Sequence, residues 1–340
     1  MKKRKEKIMK FASFTIIPII LLSIMPISPN SPNIQDAVNY AKKNLLLQDG
    51  ISGLMINDSR APPTLTILVE NEQSKSLVPS EIKGFKVETK IVGRFDALAS
   101  NERRNDILPL SAPLFNRKGT VRPLVGGVSL GNWCPPWSIT AGTLGVCFKP
   151  PGYTSNYILT NAHVIAEDSL HRLVPLGTSV IQPGKADGGN IFKIVGKLSA
   201  RIIIQLFVYG NHADCAMAKV SSNIGVQLNK ELAGDNINTY TVSVTNMVVP
   251  SEASAVRKSG RTTGVTTGWV YDNSATVKVY YGLVFWAGFD DIILVHQPFC
   301  EGGDSGSFVD QNGKFVGLVF AGSDEYAIVC KAGYIADLWS

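Results

Sequence analysis

From about residue 120 onward, short β-prone runs alternate with turn residues, and that rhythm narrows the possible folds more than any other feature of the chain. Gly145–Phe148, Tyr157–Thr160, Phe192–Val195, Ile202–Val208, Thr239–Val249, Gly268–Asp272, Thr276–Tyr281, Ile292–Val295, Ser307–Val309 and Phe315–Phe320 each read as a strand. The runs favour β-branched and aromatic residues, with turn residues between them. Many short strands at such spacing bury their apolar faces in a β-sandwich or a barrel. Helix is scarce in this part, and only Tyr334–Trp339 reads as one.

Upstream the pattern changes. Ile34, Ala37, Val38, Ala41 and Leu45 recur near the helical period, which predicts an amphipathic helix over 34–47. Thr64–Val69 and Phe85–Val92 read as strands, with a short helical turn at Pro79–Lys83. Residues 34–93 therefore form a small α/β unit, which contains no His and no Cys. Residues 94–119 lack a sustained period and read as a linker, and 120–340 form the main domain. With 45% hydrophobic and 18% charged residues, the chain is not disordered.

The net charge is +6, but Lys2, Lys3, Arg4, Lys5, Lys7 and Lys10 against Glu6 supply nearly all of it. The remainder is close to neutral, which argues against a nucleic-acid partner. This basic start runs into Phe11–Ile27, apolar apart from Ser and Thr. A basic segment followed by an apolar one is the pattern of a secretory signal. No A-x-A cleavage site follows, so an uncleaved N-terminal membrane anchor is the second reading of residues 1–30. The apolar stretch is at the lower limit for crossing a bilayer, and Pro18 and Pro26 interrupt it. Either way the bulk of the chain lies outside the cytoplasm, secreted or anchored. The five cysteines show no C-x-x-C spacing, so neither a zinc site nor any other metal or cofactor is expected.

Chemistry concentrates in three short motifs. Gly302-Gly303-Asp304-Ser305-Gly306-Ser307 presents a serine among glycines. A serine hydroxyl is a poor nucleophile until a base takes its proton. It also needs N–H donors for the oxyanion that forms on a carbonyl substrate, and glycines allow the tight turn that aims them inward. Leu159-Thr160-Asn161-Ala162-His163-Val164 ends an apolar strand in a histidine, one of only four in the chain. A neutral imidazole is the natural general base near pH 7. His212-Ala213-Asp214-Cys215-Ala216 sets an acid among small and apolar residues, where a partly buried carboxylate needs partners and can orient an imidazole. Asp187 is the rival acid, but Gln182–Gly189 reads more simply as a turn. The order His163, Asp214, Ser305 differs from Ser-acid-His in α/β-hydrolases and from Asp-His-Ser in subtilisin.

With these motifs in place, the stretch from Arg122 to Ser340 resembles the trypsin-like serine proteases of the chymotrypsin superfamily, above all bacterial and archaeal members. T-N-A-H and G-D-S-G carry the resemblance most specifically. Arg122-Pro123-Leu124-Val125-Gly126-Gly127-Val128-Ser129, Thr140-Ala141-Gly142-Thr143, Gln182–Gly189 and Gly260–Gly264 add to it. It implies a mainly β fold, a chymotrypsin-like double β-barrel preceded by the small α/β unit, with barrels over about 120–225 and 235–340. The resemblance also implies Ser305 as nucleophile, His163 as base and Asp214 as its orienting acid. The N–H groups of Gly303 and Ser305 would form the oxyanion hole.

Phe320-Ala321-Gly322 corresponds to the strand that pairs with the substrate backbone. Phe299 corresponds to the base of the specificity pocket, where no acid waits for Lys or Arg, so an apolar or small residue before the cut is favoured. Cys300 and Cys330 correspond to paired cysteines, which implies a disulfide. Gly260–Gly264 is taken as structural. The implied activity is that of an exported serine endopeptidase acting on protein or peptide through an acyl-enzyme. The alternative is an inactive protease-fold binding protein. Members of the family that need a freed N-terminus pair it with the acid at the Asp304 position. Here Asp304 needs an internal partner, or a cut between 94 and 122, where Arg103-Arg104 and Arg117-Lys118 are the expected exposed candidates.

Overall fold

The computed structural model describes residues 32–58, 61–98, 115–136 and 141–340. The leader, read as signal or anchor, and Arg103-Arg104 lie outside the described residues. Among the described residues, no helix is long and apolar enough to cross a membrane.

The first half of the main domain closes on itself. Tyr157–Thr160 pairs with Ala216–Val220, which pairs with Ile194–Arg201, then Ser179–Ile181, Val128–Trp133 and Gly142–Leu144. That last strand continues into Val146–Phe148, which pairs back onto Tyr157–Leu159 and completes the ring. The second half closes likewise. Its order is Ala255–Gly260, Phe308–Gln311, Lys314–Gly322, Tyr326–Lys331, Phe285–His296 and Gly264–Tyr281, the last returning to Ala255–Gly260. Closure removes the open edges that would invite pairing with other chains. The result is the mainly β, chymotrypsin-like double β-barrel. One apolar core crosses from barrel to barrel, with Leu144 and Leu159 in the first and Leu318 and Phe320 in the second. Strands at this junction are buried on both faces, so Tyr157–Thr160 and Phe315–Gly322 read as unbroken runs rather than alternating ones.

The N-terminal unit opens with helix Ile34–Asn44, shorter than its period suggests. The Asn33 side chain accepts from the Gln35 N–H and starts it, and Ala37, Val38 and Ala41 form its buried face. Strand Ile51–Asn57 pairs with Thr64–Val69, which runs parallel to Phe85–Ile91. The same Ile51–Asn57 strand also pairs with Gly264–Tyr281, Gly53 opposite Val277 and Leu54 opposite Thr276. The unit thus extends the sheet of the second barrel. Gly53 permits this approach, because a Cβ there would lie 2.3 Å from the Thr276 carbonyl oxygen.

Several sequence expectations change. Ile202–Val208 is β-prone but forms a loop after Arg201. Asn211 substitutes for a partner strand there: its Oδ1 accepts from the Gln205 N–H and its Nδ2 donates to the Gln205 carbonyl. Pro79–Lys83 is not helical; Glu81–Ile82 pairs with Phe85–Lys86, and the helical turn falls earlier, at Gln73–Leu77. Gly268–Asp272 and Thr276–Tyr281 belong to one strand whose register slips between them. Phe95–Ala97, inside the expected linker, is a strand. Arg117 is buried rather than exposed, and its guanidinium donates to the carbonyls of Gly127, Gly234 and Gly260.

Candidate active site

Strand register brings the histidine and the acid together. Thr160 ends its strand opposite Ala216, the first residue of the neighbouring strand. The chain therefore leaves one strand through Asn161–His163 where it enters the other from Asp214. The Asp214 carboxylate is wholly buried and fully engaged. Oδ1 accepts from the Ala162 N–H at 2.7 Å and the His163 N–H at 3.2 Å. Oδ2 accepts from His163 Nδ1 and from the Tyr281 hydroxyl at 3.1 Å. A buried carboxylate is stable in its charged form only with such partners. Burial opposes charging of the His163 ring, but the Asp214 charge and hydrogen bond outweigh it and hold His163 above the ordinary histidine range. The other ring nitrogen, Nε2, is buried and has no hydrogen-bond partner among the described residues.

Ser305 comes from the second barrel and is tied to the first. Thr143 donates from its N–H to the Ser305 carbonyl at 2.7 Å and from Oγ1 to the Gly303 carbonyl at 2.9 Å. Thr160 Oγ1 donates to the Thr143 carbonyl at 2.7 Å, joining the histidine strand to the same lashing. Gly142 sits between the two motifs. A Cβ there would meet Val164, the neighbour of His163, at 2.5 Å and the Ser305 carbonyl oxygen at 2.9 Å. Gly303 and Gly306 flank the serine turn with φ of +96° and +90°, a region that L side chains rarely enter. The Ser305 hydroxyl donates to the Phe320 carbonyl at 3.4 Å.

Asp304 has its internal partner. The carboxylate is wholly buried and lies 3.5 Å from Lys258 Nζ, itself wholly buried. It accepts from the N–H groups of Thr262 and Thr263, from Thr263 Oγ1 and from the Glu301 N–H. The turn Gly260–Gly264, which in sequence looks merely structural, thus clamps the residue before Ser305. The rival acid Asp187 is spent elsewhere, in a two-point pair with Arg261 at 2.5 and 2.6 Å and a bond from Ser129 Oγ.

The cleft already holds a peptide. Phe95–Ala97 lies between the two strands Gly264–Tyr281 and Lys314–Gly322. It runs antiparallel to the latter, Asp96 opposite Gly322 and Ala97 opposite Ala321. The Leu98 N–H donates to the Phe320 carbonyl at 3.2 Å, and the Leu98 carbonyl accepts from the Gly303 N–H at 2.5 Å. Phe320-Ala321-Gly322 is therefore paired with the chain's own residues 96–98. The Leu98 side chain packs on an apolar cluster that includes Val270, Val295, Phe299 and Cys300. Phe299 is not an open pocket base, as its ring is wholly buried in that cluster, under Gly268.

The implied disulfide is corrected as well. Cys300 and Cys330 are both free, and they stand in separate clusters. Cys330 Sγ faces the Leu318 and Asp214 carbonyls, whereas Cys300 Sγ lies against Gln297. Burial pushes both thiols up to about 12. Among the described residues, no group of three or more His, Cys, Asp or Glu side chains could hold a metal ion.

Sequence reading missed Tyr281, Lys258, Thr143 and Leu98. Thr143 lies in the T-A-G-T motif and was within reach. Lys258 sits in a strand between Arg257 and Ser259 with nothing to mark its burial.

Two closed barrels, with a histidine–aspartate pair from one and a glycine-flanked serine from the other, define a serine-protease fold of the chymotrypsin type. No known family's sequence profile matches the chain, and no curated protein does. Among solved structures it is similar to protease A of Thermobifida fusca, at 17% identity and TM-score 0.44, over 63% of this chain and 94% of that one. It is also similar to a Nocardiopsis protease, at 17% identity and TM-score 0.43, over 63% and 95%. Cellulomonas bogoriensis chymotrypsin gives 16% identity and TM-score 0.40, over 63% and 93%.

Proposed function

We propose that the chain is a serine endopeptidase that works outside the cytoplasm, with Ser305 as nucleophile, His163 as general base and Asp214 as the acid that orients it. One observation carries this reading. His163 is bound through Nδ1 to a wholly buried aspartate and keeps Nε2 unspent, at the barrel junction that also holds Ser305. In the mechanism, Nε2 takes the Ser305 proton as Oγ attacks the substrate carbonyl. Asp214 fixes the tautomer and stabilises the imidazolium, and the Tyr281 hydroxyl helps hold the carboxylate in line. The N–H groups of Gly303 and Ser305 receive the oxyanion. His163 then protonates the leaving amine, and water hydrolyses the acyl-enzyme. Substrates are proteins or peptides, with an apolar residue before the cut. Location outside the cytoplasm rests on the basic and apolar leader.

The test is capture by a fluorophosphonate probe in the full chain, alone and with Leu98→Lys to clear the cleft. Capture is expected at Ser305, lost in Ser305→Ala and slowed at least about 1,000-fold in His163→Ala. Absence of capture in both the parent chain and Leu98→Lys would refute the assignment.

A further inference from the structure

We propose that the peptide bond following Leu98 is the chain's own first substrate, cut by Ser305 of the same molecule. The inference rests on the peptidase reading above and goes beyond it by naming a substrate sequence, a cut site and a leucine-type preference. The geometry points to it in three ways. Residues 96–98 bind the strand Phe320–Gly322 as an antiparallel partner, with the Leu98 N–H on the Phe320 carbonyl. The Leu98 carbonyl sits on the Gly303 N–H, the donor assigned to the oxyanion, at 2.5 Å. The half-buried Leu98 side chain packs against the apolar cluster around Phe299, while Asp96 is exposed.

A passing linker has no reason to spend both Leu98 backbone groups, one of them on a turn amide next to the nucleophile. The Ser305 hydroxyl shares the Phe320 carbonyl with the Leu98 N–H, which sets the nucleophile beside the bond. Holding reactants in one molecule can be equivalent to concentrations of about 10⁵ M or more, so even a modest nucleophile acts on a bond held this way.

The step balances as ordinary peptide hydrolysis. Ser305 Oγ forms a bond to the Leu98 carbonyl carbon, and the bond from that carbon to the Ala99 nitrogen breaks. The serine proton passes through His163 to the departing amine. Water then opens the ester, leaving a carboxylate on Leu98 and a free amine on Ala99.

The experiment follows the mass of the full chain from synthesis onward. The expected result is a cut between Leu98 and Ala99 in the parent chain and in Leu98→Met, at a rate independent of protein concentration. Ser305→Ala stays intact, and Leu98→Lys is cut at least about 100-fold more slowly, since a charge must be set against an apolar cluster. Fluorophosphonate capture is measured on the same samples. An uncut parent chain beside capture at Ser305 in Leu98→Lys overturns this inference and leaves the peptidase reading standing. No cut and no capture in any variant overturns both. A cut whose rate rises with protein concentration overturns the intramolecular assignment.

Discussion

Replacing Lys258 by methionine tests whether the buried ion pair behind the serine turn holds the site together. Lys258 Nζ lies 3.5 Å from Asp304, and both side chains are wholly buried. At an effective dielectric near 20, opposite charges at that distance attract by about 5 kcal/mol. Breaking buried pairs costs roughly 3–5 kcal/mol, because one charge is left without its partner. Asp304 keeps its four hydrogen-bond donors on the Gly260–Gly264 turn and at Glu301, which softens the loss. The expected cost is therefore about 3 kcal/mol, against a total stability of order 5–15 kcal/mol for a folded domain. Urea unfolding in a Ser305→Ala background reads it without interference from proteolysis. The double variant Lys258→Met with Asp304→Asn removes the orphaned charge and should recover at least about 1 kcal/mol. A loss under about 1 kcal/mol for the single variant, or no recovery in the double, refutes the reasoning.

Two further outcomes follow from buried ionisable groups. Fluorophosphonate capture by the Leu98→Lys chain should fall as pH drops through the His163 pKa, since only the neutral ring can act as base. Burial alone would pull that pKa down, but Asp214 outweighs it, so the half-maximal rate should lie above the ordinary value of about 6.5. A midpoint below 6.5 contradicts the pairing. Asp272 is pushed up by burial from 3.8 to about 6. At pH 8 it is charged in both states and burial penalises the folded one; at pH 4 it is largely neutral when folded and the penalty is nearly gone. Asp272→Asn, which can still accept from the Ser274 N–H, should therefore stabilise the fold at pH 8 by at most about 3 kcal/mol, and the gain should fade between pH 6 and 4. Equal unfolding midpoints at pH 8 contradict it.

The barrel class was legible because apolar runs recur between turn residues, although Val128–Trp133, Ser179–Ile181, Ala216–Val220, Ala255–Gly260 and Tyr326–Lys331 went unread and two short runs proved to be one 18-residue strand, Gly264–Tyr281. T-N-A-H was legible because it closes the apolar run Tyr157–Thr160, whereas A-D-C-A leads into Ala216–Val220, a strand that local sequence did not mark. What stayed hidden depends on contacts distant in sequence. Ile202–Val208 carries strand residues yet loops, since a single Asn211 side chain replaces the ladder it would otherwise need. Arg117 looks like an exposed basic site, but carbonyls from three separate segments draw its guanidinium inward. Phe95–Ala97 has no period of its own, and becomes a strand only because two barrel strands leave a slot for it. The Cys300–Cys330 expectation failed because sequence distance says nothing of which cluster each thiol enters.

The shared sheet has a mechanical consequence. A nick after Leu98 severs the covalent chain but breaks none of the hydrogen bonds that hold residues 95–98 between two barrel strands. Nor does it touch Ile51–Asn57, zipped along Gly264–Tyr281, or the ion pair from Lys42 to Asp290. The severed piece stays in place as a cork wired to the bottle, its new carboxylate still seated on the Gly303 amide. Nicking and uncorking are thus separate events with separate clocks: the first is chemical and internal, the second is a peeling of strands. Once the cork is peeled away, dilution keeps it away, because a tethered neighbour has become a free ligand at whatever concentration the surroundings allow.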